Sequence, residues 1–110
     1  MAVDMRAPTL ALTIGAFASM HAEAQDLSSV SRGLAYATQV CSDCHAVTPE
    51  QAHSPDPKAP TFQTVANISG MTRIALGVWL HSPHPTMPQL IVDTYRIDDL
   101  AAYIATLKHK

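Results

Sequence analysis

Apolar positions recur most regularly towards the C-terminal end of the chain. Leu100, Tyr103, Ile104 and Leu107 stand at i, i+3, i+4 and i+7, which lines one face of an α-helix. The spacing predicts a helix over residues 97–108, with Asp98 and Asp99 in its first turn and Lys108 in its last. That charge order suits the helix dipole. A second apolar stretch, Ile74 to Leu80, runs into Ser82-Pro83. The residue before a proline avoids helical backbone, so a short helix stopped there is predicted. Between Val47 and Pro60 the chain is rich in proline and polar residues and reads as loop.

One further apolar stretch has a different character. Ala7 to Met20 is apolar or small throughout, follows a short segment carrying Arg6, and precedes Ala22-Glu23-Ala24. These are the three parts of a secretory signal peptide, which would occupy residues 1–24 and leave a mature domain at 25–110. The run is too short for a permanent bilayer-spanning helix, which takes about 20 residues, and this argues against a membrane anchor. The expected location is the periplasm.

Composition narrows the field further. With seven Lys and Arg against nine Asp and Glu, the 110-residue chain has a formal net charge of −2 and contains no basic run. Nucleic acid is therefore not an expected partner. A domain this small buries a modest share of its surface and needs a staple, metal or cofactor to supplement its core.

The candidate supplement is local. The two cysteines of the chain lie in Cys41-Ser42-Asp43-Cys44-His45. A close pair of this kind serves as a redox dithiol, as half of a zinc site, or as the two thioether anchors of a haem. A zinc site would have to draw its second ligand pair from His53, His81 or His84, at spacings no common zinc module uses. A thioredoxin-like dithiol belongs to a βαβ unit, and no such pattern follows. The adjacent histidine favours the haem: the thiols add to its two vinyl groups, and His45 becomes the proximal ligand of the iron.

With that motif in place, nearly all of residues 25–110 resembles the class I, monohaem cytochrome c family, in a compact bacterial form. Gly33 lies eight residues before Cys41 and is followed by Tyr36 and Ala37. The resemblance places it where the N-terminal helix, over residues 27–40, crosses the C-terminal helix, with Tyr103 at the crossing. A glycine inside a helix costs about 1 kcal/mol against alanine, which close backbone approach would justify. Asp26 or Ser28 is the expected cap of that helix.

Pro85-Thr86-Met87-Pro88 resembles the loop that delivers the sixth ligand, making Met87 the implied partner of His45. Met71, His81 and His84 are rivals by chemistry. Ala59-Pro60-Thr61-Phe62 resembles the segment whose proline carbonyl accepts the free ring N–H of the proximal histidine, with Pro57 as a competitor for Pro60. Trp79 stands where the family places a wall of the haem pocket. Its short spacing to Met87, compared with mitochondrial-type members, points to the compact variant.

The resemblance implies an all-α cytochrome c fold, with one or two short middle helices within 61–81 around one covalent haem c. The expected function is outer-sphere electron transfer rather than enzymatic catalysis. A dehydrogenase or cytochrome complex would be the donor, and an oxidase or reductase the acceptor. The alternative is a haem c subunit of a larger complex, or a gas-binding sensor with a labile sixth ligand.

Overall fold

In the computed structural model, residues 17–83, 87 and 92–109 are described. They form four helices, α1 (Phe17–Val40), α2 (Phe62–Ala66), α3 (Arg73–His81) and α4 (Thr94–Thr106), with no strand among the described residues. α4 packs against each of the other three, most extensively against α1. No helix among the described residues is long and apolar enough to cross a membrane.

The α1–α4 crossing follows from residue size. Gly33 and Ala37 sit one turn apart on the buried stripe of α1, and Ala37 is 0 % exposed. A Cβ added to Gly33 would lie 2.0 Å from the Asp99 carbonyl oxygen and 2.7 Å from Tyr103 Cβ. The two backbones therefore approach to a distance that only glycine allows, with Tyr103 at the contact as expected. From α4 and its C-cap, Leu100, Tyr103, Ile104 and Leu107 are all buried and share one cluster with Val47, Phe62, Ala66 and Leu76. The i, i+3, i+4, i+7 face is thus the core face.

Charged side chains fix the register of the crossing. Arg32 closes a fork on Asp99, donating from Nε to Oδ2 at 2.9 Å and from Nη2 to Oδ1 at 2.8 Å. Asp99 is only 4 % exposed, and the guanidinium holds its carboxyl below the usual carboxylate range, against the opposing effect of burial. On α4, the Arg96 guanidinium lies over the rings of Tyr36 and Tyr95, at 5.3 and 5.0 Å from their centroids. Asp98 pairs with Arg73 of α3.

Three sequence expectations are corrected here. α1 begins at Phe17 and not near residue 27, because no proline or glycine interrupts the alanine-rich stretch before Gly33. Asp26 and Ser28 consequently lie inside the helix and cap nothing; Ser28 Oγ instead accepts from Arg32 Nη1 at 2.5 Å. α4 begins at Thr94 after the cap Asp93, so Asp98 and Asp99 fall in its second turn and Lys108 beyond its end. Their work is ion pairing across helices, not dipole compensation. The expected cleavage point after Ala24 falls within α1, and residues 1–16 of the expected signal peptide lie outside the described residues.

The middle helices keep their expected place and are capped by threonine. Thr61 Oγ1 accepts from Thr64 N–H at 3.1 Å to start α2, and Thr72 Oγ1 accepts from Ala75 N–H at 3.1 Å to start α3. Between them Gly70 adopts φ +77°, a left-handed turn suited to glycine. α3 stops at Ser82, immediately before Pro83.

Candidate haem site

The turn that ends α1 arranges the motif. Cys41 N–H bonds back to Ala37 O at 2.9 Å, and Cys44 and His45 N–H both return to Cys41 O, at 3.2 and 2.9 Å. This single helical turn sets Cys41, Cys44 and His45 at i, i+3 and i+4, on one side of the backbone. Both cysteines are free thiols. Burial, reinforced by the neighbouring Cys44, pushes the Cys41 thiol up to about 11. Such surroundings disfavour a thiolate and suit a neutral thioether.

From the turn the chain passes into the 47–60 loop, which is bonded down throughout. Asp56 N–H donates to Cys44 O at 3.1 Å, and Phe62 N–H to Ala46 O at 2.9 Å. The return leg brings Pro60 beneath the histidine, where His45 Nδ1 lies 2.7 Å from Pro60 O. A carbonyl only accepts, so Nδ1 carries the proton, and Nε2 is left with the lone pair that a metal requires. Pro60, rather than Pro57, supplies that carbonyl. The Phe62 ring packs at 5.6 Å from the imidazole, tilted by 57°.

Above this turn opens a cavity of about 270 Å³. Cys44, His45 and Pro60 line it from the loop, and Phe62, Val65 and Ile68 from α2 and its end. Met71, Leu76, Trp79 and Leu80 contribute from the α3 side, Leu100 and Ile104 from α4, and Met87 from the distal segment. The walls are overwhelmingly apolar, with Asp56 and Lys58 as the charged members.

A covalently attached haem demands adjacent thiols, an imidazole with Nε2 free and an apolar enclosure; the described residues supply all three. A clustered metal site is a poorer fit, since no group of three or more His, Cys, Asp and Glu converges among the described residues.

The expected site residues sort clearly. Cys44, His45, Pro60, Trp79 and Met87 all line the cavity, and Cys41 packs against the core beside it. Trp79 is a wall and not a core residue, for it is 55 % exposed. Met71, the rival thioether, lines the same cavity. His81 does not line it and is exposed; its Nδ1 lies 2.8 Å from Gly77 O, within its own helix. His84 lies outside the described residues, as do Pro85, Thr86 and Pro88. Sequence reasoning missed Lys58, Asp56, Val65 and Ile68 as lining residues, because the loop and α2 meet the cavity only through tertiary folding.

No protein-family model and no solved structure matches the chain. Cytochrome c-552 of Bradyrhizobium diazoefficiens, in contrast, is 32 % identical over 81 residues, which cover 74 % of this chain and 77 % of the relative. Two free thiols on one helical turn, an adjacent imidazole and an apolar cavity in an all-α fold now meet an independent likeness of sequence. The chain belongs to the cytochrome c family, a c-type haem electron-transfer protein whose iron-bearing haem is covalently held.

Proposed function

We propose that the chain is a class I, compact bacterial cytochrome c that carries single electrons in the periplasm, with His45 and Met87 as axial ligands and no enzymatic reaction of its own. The observation that carries this reading is one apolar cavity lined by both His45 and Met87. When bound, the haem supplies a one-electron ferric/ferrous couple.

The chain's own residues do the rest. Cys41 and Cys44 form the thioether links that prevent loss of the group. Pro60 O holds the His45 Nδ1 proton and so fixes the tautomer in which Nε2 donates. Met87 offers a neutral, soft sulfur, which raises the potential relative to a second histidine. The apolar walls, with Trp79 among them, exclude water and keep both ligand positions filled. Residues 1–24 serve as the export signal. Redox proteins are the partners, a dehydrogenase or cytochrome complex giving electrons and an oxidase or reductase taking them.

The test is the far-red charge-transfer band of a methionine-to-ferric-iron bond. Met87→Ala abolishes it on this reading, and Met71→Ala leaves it in place. The opposite result would move the ligand to Met71. Rapid carbon monoxide binding by the unaltered ferrous protein would show an open sixth position and favour a gas sensor.

A further inference from the structure

The backbone immediately after His45 is bonded on every polar group. Ala46 N–H donates to Ser54 Oγ at 3.0 Å, and its carbonyl accepts from Phe62 N–H at 2.9 Å. Val47 N–H donates to Gln51 Oε1 at 2.9 Å, and its carbonyl accepts from the Tyr103 hydroxyl at 2.5 Å. Thr48 N–H reaches the same Gln51 atom at 3.1 Å. Two backbone donors converging on that atom identify it as the amide oxygen.

Ala46 and Val47 are both buried, so water is not available to replace lost partners. Three of the four bonds come from side chains rather than from regular structure. Two of these side chains belong to the loop itself, and the third reaches across from α4. The bonded pair lies between His45 and the returning leg that carries Pro60. Any slack in Ala46 and Val47 is therefore slack in the His45–Pro60 bond.

We propose that Gln51, Ser54 and Tyr103 are positioning residues for His45: by holding Ala46 and Val47 they keep the ring Nδ1–H on the Pro60 carbonyl. This rests on the reading of His45 as the axial ligand. A carbonyl on Nδ1–H builds negative charge on the imidazole and makes Nε2 a stronger donor, which favours ferric over ferrous iron. Loosening the loop weakens that bond and raises the reduction potential. The three side chains thereby couple the α4 packing to the electronics of the ligand.

The experiment uses the haem-loaded protein with Gln51→Leu, Ser54→Ala and Tyr103→Phe made singly. Solvent exchange of the His45 Nδ1 proton is followed by NMR in the ferrous state, and the potential by redox titration. Exchange is expected to quicken about tenfold, the factor that loss of one hydrogen bond supplies, and the potential to shift upward. Gln51→Glu keeps an acceptor oxygen and restores slow exchange. Leu27→Ala, on the exposed outer face of α1, leaves both readouts unchanged.

If all three variants lose stability while exchange and potential stay at the parent values, the residues are structural and the proposal falls. If the His45 ring protons of the parent lack the large upfield shift imposed by a ligated haem, the axial reading fails first and the proposal with it.

Discussion

The two sides of the cavity are built in opposite ways. On the proximal side, the α1–α4 crossing, the Cys41–His45 turn and the 47–60 loop are locked by close backbone contact, a half-buried ion pair and a dense set of hydrogen bonds. On the distal side, α3 presents Ile74 and Val78 to solvent at 71 and 61 % exposure, and Trp79 stands half out of its wall. The proximal half is held by hydrogen bonds and close packing within the protein. The distal half lines the cavity of about 270 Å³ with Met71, Leu76, Trp79 and Leu80 and leaves its outer face to solvent. Rigidity is placed around His45 and its Pro60 carbonyl.

Substitutions that attack the two sides separate these roles. The largest effect is expected from Gly33→Ala. The new methyl would meet the Asp99 carbonyl, which is backbone and cannot swing aside, so the helices must part; more than about 3 kcal/mol should be lost, as read by urea unfolding. Leu100→Ala comes next. That residue is 2 % exposed and also lines the cavity, and a loss of about 2–5 kcal/mol is expected, larger if the remaining void cannot close.

Asp99→Asn acts through pH. The carboxyl is held below its ordinary value by Arg32, so its pairing stabilises the fold fully above an unfolded-state value of about 3.9. That contribution disappears as pH falls below this value through the lower folded one. The parent should therefore lose stability steeply in acid, and the Asn variant should show a flatter acid limb in thermal melts. The smallest effect belongs to Val78→Ala on the distal outer face, within about 0.5 kcal/mol of the parent. A loss several times larger would mean that the outer face of α3 is covered, and the contrast between the two sides would weaken.

Legibility in the sequence followed the range of the interactions. Whereas the role of Gly33 came through the family resemblance, the Cys41–His45 motif and the core face of α4 were readable, because each depends on spacing along one segment. The stop of α3 at Ser82-Pro83 was readable for the same reason. Helix starts were not. Asp93, Asp98 and Asp99 all resemble caps by type, and the α4 start was settled by where α3 and α1 claimed the later two carboxylates. Gln51 and Ser54 were hidden in a proline-rich loop whose composition says only that it is not helical. Their importance rests on buried backbone groups that acquire neighbours only when Tyr103, more than fifty residues away, packs against Val47.

One small tether joins the C-terminal end of the chain to the cap of α2. His109 N–H is held by Asn67 Oδ1 at 3.1 Å, and Asn67 lies between Val65 and Ile68, two lining residues of the cavity. The last described residue is thereby fastened to the end of α2, so a spectroscopic label at position 109 would report on the end of an element that lines the cavity.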